Sequence, residues 1–220
     1  PSVALRKAVR SVEPSASLGP VRLLAALEDL AQGSLDTSDP VVFILSILRD
    51  SPDFAWIVSS AYWHLLSQVT PAKSGIVFTP RELAEQAVKQ LRPDLPVVDL
   101  GAGTGMLTLT AARFGHKVVA VEQDVHMLRV LRALAVLAGL ANRVDLIQAD
   151  ALAFQPRGQF QIISNPPYSR HHDMSPALKK LLPRSDIGDG IPLPLSSSHY
   201  VYFMVHAWKA PWSLREVFIV

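Results

Sequence analysis

PVVDLGAGTG, residues 96–105, decides the fold. A short apolar run leads into Asp99 and then into Gly101, Gly103 and Gly105. The residues that follow, MLTLTAARFG (106–115), have helical spacing and close on Gly115. A strand that passes into a helix through spaced glycines opens a βα unit. Glycine permits the tight turn and lets the main chain approach a ligand that a Cβ would block. Such a turn also serves nicotinamide and flavin enzymes, so the residues around it have to decide the chemistry.

Outward from this turn the pattern repeats. KVVAVE (117–122), RVDLIQAD (143–150), FQIISN (160–165) and REVFIV (215–220) read as strands. DVHMLRVLRALAVLAGL and SSHYVYFMVHAWK (197–209) read as helices, the first capped by Asp124. Strands alternating with helices imply parallel pairing with crossovers, hence an α/β doubly wound, mostly parallel sheet. Ahead of it, GPVRLLAALEDLAQG, DPVVFILSILRD and SPDFAWIVSSAYWHLLSQV predict an N-terminal helical segment over residues 1–70, the core being 71–220. Asp39-Pro40 and Ser51-Pro52 read as N-cap pairs with proline at the first helical position. TPAKSG (70–75) reads as a break, and LPRSDIGDGIPLPLSSS (182–198) as a long surface loop.

Composition narrows the classes. In 220 residues, 49% hydrophobic and 18% charged, there is enough apolar material for one substantial core and an accessory segment. No apolar run has membrane-spanning length and no secretory leader is evident, so a soluble, cytoplasmic protein is expected. The absence of cysteine excludes a disulfide framework, a thiolate zinc site and a cysteine nucleophile. Charge is uneven, net −2 over residues 1–70 and net +4 over the rest, which permits a polyanion partner. A start without methionine and an end on REVFIV read as a segment of a longer or processed chain.

In doubly wound sheets ligands bind outside the carboxyl ends of the strands. Glu122 ends one strand, where a carboxylate can accept from both ribose hydroxyls; Asp150 ends the next, where it can accept from an adenine amino group. SNPPYSR (164–170) ends a fourth. A nitrogen conjugated to a ring or carbonyl is a poor nucleophile, and two acceptors that take both its hydrogens draw it toward tetrahedral geometry and stabilise its developing charge. The Asn165 side-chain oxygen and the Pro166 main-chain carbonyl are that pair. Pro166 and Pro167 fix the backbone and remove competing N–H donors. Tyr168 offers a flat face for a planar substrate. A proline turn joining a strand to a loop is the structural alternative.

DLGAGTG, the acidic end of VVAVE, QADA and NPPY, in that order, resemble the class I S-adenosylmethionine-dependent methyltransferases, in the branch that methylates amino or amide nitrogen. The resemblance implies that Asp99, Gly101, Gly103 and Gly105 line the methionine part of the cofactor, Glu122 holds the ribose, and Asp150, with Ala151 beside it, the adenine. GIVFTPRELAEQAV (75–88) resembles a segment of the gamma-type adenine-N6 DNA methyltransferases that packs over the cofactor, with Thr79 and Pro80 at its centre. NPPY-x-R and the later YVYF helix point the same way. Duplex DNA as partner requires the target base to be swung out of the stack. Arg170, His171 and His172 are then candidates for phosphate contact, extended by Lys179, Lys180 and Arg184. The His-His pair lacks a ligand set at metal spacing, so no metal is expected.

The implied reaction is adenine-N6 methylation in a restriction-modification or defence system. Glutamine-amide methyltransferases of release factors share NPPY and a helical N-terminal domain, but usually carry an isoleucine after NPPY. Ribosomal RNA adenine dimethyltransferases share it too, but usually have a proline in the glycine loop. A non-catalytic cofactor-binding subunit is a further alternative; a dinucleotide oxidoreductase leaves NPPY idle. KAPWSLREV stands where a Pro-Gly-Gly turn is common. The family core has two strands beyond the fifth, and DNA enzymes add a target-recognition domain, so a C-terminal domain or partner subunit is expected.

Overall fold

The computed structural model describes residues 18–34, 36, 38–69, 77–173, 192–194 and 196–220, with isolated positions elsewhere. The sheet holds β1 (Val97–Leu100), β2 (Val118–Glu122), β3 (Val144–Gln148), β4 (Phe160–Ser164) and β5 (Ser213–Phe218). All neighbours are parallel and the order is β3-β2-β1-β4-β5, the expected doubly wound arrangement. The order reverses between β1 and β4, and there the Ser164 hydroxyl donates to the Leu100 carbonyl at 2.6 Å, holding the two strand ends together. Buried Gln161 does the same at the opposite end: its amide donates to the Arg92 and Leu95 carbonyls and accepts from the Arg92 N–H, so a polar side chain in a buried strand is satisfied.

Strand alternation sorts the core. Val97, Val118, Ala120 and Ile163 face α4 (Arg81–Val88), α5 (Met106–Arg113) and α6 (Val125–Leu137). Val98, Leu100, Val121 and Ile162 face the opposite layer, where α7 (His199–Lys209) brings Phe203 and Ala207, with Trp212 behind it. Asp124 caps α6 as expected, accepting from the N–H groups of His126 and Met127.

Before the core come α1 (Pro20–Ala31), α2 (Pro40–Leu48) and α3 (Phe54–Ser67). Asp39 caps α2 ahead of Pro40 as the sequence predicts. The Ser51-Pro52 pair does not open α3, which begins two residues later at Phe54: Ser51 and Pro52 form a turn, and Asp53 stands at the cap without a capping hydrogen bond, its carboxylate pairing with Arg81 instead. Leu23, Leu27 and Leu30 of α1, on one helical face, join the same buried cluster as Val130 and Leu134 of α6. Outside that apolar contact Arg129 of α6 forms a two-pronged ion pair with Glu28. The helical layer thus shares one core with the sheet.

TPAKSG (70–75), most of the loop at 182–198, Lys180 and Arg184 lie outside the described residues. No helix among the described residues is long and apolar enough to cross a membrane.

The glycine turn is tightly built. Gly105 sits at φ +91°, and a Cβ there would lie 2.1 Å from Cδ1 of fully buried Leu131. Gly105→Ala is therefore expected to destabilise by about 2–4 kcal/mol, combining left-handed strain with overpacking. Thermal unfolding checks it; a loss below about 1 kcal/mol would mean that the turn yields.

Candidate active site

The carboxyl ends of the strands surround a cavity of about 200 Å³. From the glycine turn come Asp99, Gly101 and Gly103; from the ends of β2 and β3 come Glu122, Asp150 and Ala151; from the segment after β4 come Asn165 and Pro167; Thr79 reaches in from the segment before α4. The structure therefore brings nine of the sequence-predicted residues onto one surface. Pro80, Gly105, Pro166 and Tyr168 are not among the residues lining it, nor are Arg170, His171 and His172, the last three on the loop that follows NPPYS.

Asp99 is fully buried. One oxygen accepts from the Thr108 hydroxyl at 2.6 Å; the other, Oδ1, has no hydrogen-bond partner. Burial, with Glu122 nearby adding to it, pushes the carboxyl up to about 7, against the Thr108 hydrogen bond. A carboxylate with an unsatisfied buried oxygen on a cavity wall is suited to a cationic group. Gly101 and Gly103, both at positive φ, leave their stretch of wall without side chains.

Glu122 is spoken for in part by the turn itself. Its Oε2 accepts from the Gly103 N–H and its Oε1 from the Asp124 N–H, each at 2.9 Å. Burial raises its pKa against these bonds. Each oxygen retains a second lone pair. Asp150 Oδ1 accepts from the Leu152 N–H at 2.9 Å.

Asn165 is held from both sides. Its Nδ2 donates to Thr79 Oγ1 at 2.9 Å and toward the Val77 carbonyl at 3.4 Å. Its Oδ1 lies 2.9 Å from the Tyr168 hydroxyl, which also lies 2.6 Å from the Ile219 carbonyl. A hydroxyl has one hydrogen, so it serves one of these acceptors at a time, and the amide oxygen keeps at least one lone pair for another donor. Tyr168 points its hydroxyl at these partners and tilts its ring by 42° against Tyr200.

Among the lining residues not anticipated are Trp63, Phe78, His199 and Phe203. His199 and Phe203 sit one turn apart on α7, a spacing visible in SSHYVYF, but only the packing of α7 on the sheet turns that face toward the glycines, with the Phe203 ring 3.5 Å from where a Gly101 Cβ would be. Trp63 lies one turn beyond Ser59 on α3. The Ser59 hydroxyl meets that of Thr104 in the glycine turn at 2.5 Å, so the N-terminal layer contributes wall to the cavity.

The model of the ribosomal RNA adenine dimethylase family matches residues 79–204, from Thr79 through the glycine turn and NPPY into α7. The chain belongs to the ribosomal RNA adenine dimethylase family. S-adenosylmethionine is the cofactor, and Asp99, Glu122 and the bare glycine wall fit it. A mitochondrial ribosomal RNA small subunit methyltransferase of Arabidopsis thaliana is 34% identical over 92 residues, 42% of this chain and 23% of that protein. The type II methyltransferase M.XamI of Xanthomonas campestris pv. amaranthicola is 28% identical over 141 residues, 60% of this chain and 27% of that one. The dimethylase-family chain thus spans about a quarter of these relatives' length. A class I S-adenosylmethionine-dependent methyltransferase structure from Listeria monocytogenes superposes with a TM-score of 0.57 at 14% identity, over 96% of this chain and 69% of that one, a likeness of fold.

Proposed function

We propose that the protein methylates the exocyclic N6 amino group of adenine in DNA, in a restriction-modification or defence setting. The observation that carries this reading is that the Asn165 amide and the glycine turn share one cavity. When bound, S-adenosylmethionine supplies a methyl carbon on a sulfonium sulfur. Asp99 faces the positively charged methionine part, Glu122 accepts from the ribose, and Asp150 accepts from the adenine. Asn165 Oδ1 and the Pro166 carbonyl take the two hydrogens of the target amino group, so that its lone pair turns toward the methyl carbon. The bound cofactor would supply the methyl group and keep the carbon–sulfur electron pair on sulfur, while Asn165 and Pro166 would hold the amino group as it gains the methyl carbon and gives up one proton to solvent. Thr79 and the Tyr168 hydroxyl fix the rotation of the Asn165 amide.

Two further features support DNA: the segment around Thr79 and Pro80 resembles that of gamma-type enzymes, and the M.XamI alignment extends over more of the chain than the Arabidopsis one. Arg170 and His172, both exposed on the loop after NPPYS, are the nearest candidates for phosphate. Ribosomal RNA adenine is the second reading, favoured by the family model.

Transfer of tritiated methyl groups to duplex DNA, to small-subunit ribosomal RNA and to a release factor distinguishes the substrates. Label recovered as N6-methyladenine from DNA is expected. Label in RNA adenine would replace the DNA reading, and label on a glutamine would replace both. Cofactor binding without transfer to any of them would favour a non-catalytic subunit.

A further inference from the structure

His199 opens α7 on the cavity wall and is 9% exposed, yet its Nδ1 has no hydrogen-bond partner. The ring is held in place: it meets Phe203 edge-on at 5.4 Å, and the His199 main-chain N–H donates to the Ser169 carbonyl at 2.9 Å, directly after the tetrapeptide. A buried polar nitrogen left unpaired on a ligand-binding wall is matched to a ligand atom. Burial lowers the imidazole's pKa, with Asp150 opposing more weakly, so the ring is neutral and carries one N–H.

Asp150 supplies only acceptors. Two main-chain N–H groups of the next turn are already engaged, that of Leu152 with Asp150 Oδ1 and that of Ala153 with the Asp150 carbonyl, which leaves the Ala151 N–H for one side of a bound base and the His199 ring for the other. Adenine presents an amino donor flanked by ring-nitrogen acceptors, so an edge read by a carboxylate needs a donor beside it.

We propose that His199 Nδ1–H donates to a ring nitrogen of the cofactor's adenine, making His199 and Asp150 a paired reader of that base. This rests on the reading above that Asp150 faces the adenine amino group. Selectivity for adenine over other purines then comes from two side chains brought together from α7 and the end of β3.

Calorimetric titration with S-adenosylhomocysteine and its 1-deaza and 7-deaza analogues tests the proposal on the unaltered protein. One deaza analogue is expected to bind about tenfold more weakly than the parent, the cost of one lost hydrogen bond. His199→Phe, which keeps the ring contact with Phe203, should weaken the parent by the same factor and bind that analogue as the unaltered protein does. His199→Asn, whose amide can stand near Nδ1, should restore most of the parent's affinity. Equal binding of the parent and both analogues to the unaltered protein would overturn the proposal, as would an equal loss for all three ligands in His199→Phe. S-inosylhomocysteine, which lacks the amino group, tests the Asp150 reading separately: if it binds as tightly as the parent, Asp150 does not read the amino group, whatever the deaza analogues show.

Discussion

Asn165→Ala is expected to lower the rate of methyl transfer by at least about 10²–10³-fold, the scale of losing one preorganised acceptor at a centre that develops charge. Cofactor affinity should stay within about twofold, because the glycine turn, Glu122 and Asp150 are built without Asn165. The structure also tells what else the substitution removes. Asn165 Nδ2 bonds Thr79 and its Oδ1 accepts from Tyr168, so truncation frees the segment before α4 and the tyrosine hydroxyl. Tyr168 retains the Ile219 carbonyl as its acceptor, which limits the disturbance. Single-turnover transfer of labelled methyl groups, beside calorimetric titration with S-adenosylhomocysteine, separates the two effects. Loss of both together would make Asn165 a structural tie across the cavity and not the acceptor of the target amino group.

Asp99→Asn should remove a pH dependence of stability. The carboxyl is raised from 3.8 to about 7 in the folded protein, chiefly by burial. Between these values the folded state binds more protons than the unfolded one, so stability falls as pH rises through the window and stays lowered above it. A shift of that size corresponds to an effect of about 4 kcal/mol between pH 4 and pH 7. An amide of the same shape carries no charge to desolvate, so denaturant unfolding of Asp99→Asn should show that slope removed. Cofactor binding runs the other way. A cationic methionine moiety favours the ionised carboxyl, so affinity in the unaltered protein should increase as pH rises toward 7, with proton release on binding, and lose that dependence in the variant. An unchanged stability slope in Asp99→Asn would show that another group carries the titration.

The order of strands and helices was legible because each element announces itself locally: three glycines after Asp99, an aspartate capping α6, Asp-Pro opening α2. The Ser51-Pro52 pair gave the wrong start for α3 because the same dipeptide also suits a turn, and the choice depends on where Phe54 and Ala55 find a core. Trp63 and His199 were invisible as site residues. The one-turn spacing of His199 and Phe203 is local, but the direction of that face is not; each residue reaches the cavity because its helix packs against a turn far away in sequence, Ser59 on Thr104 and Phe203 over Gly101.

The sequence by itself determined the parallel sheet and the row of polar residues at its carboxyl ends, since strand periodicity and glycine spacing are properties of neighbours in the chain. Tertiary structure decided which side chains share the cavity and which oxygens are left without partners there. Burial and hydrogen-bond satisfaction depend on what packs against a residue, and for Asp99, Asn165 and His199 those neighbours come from other elements of the fold.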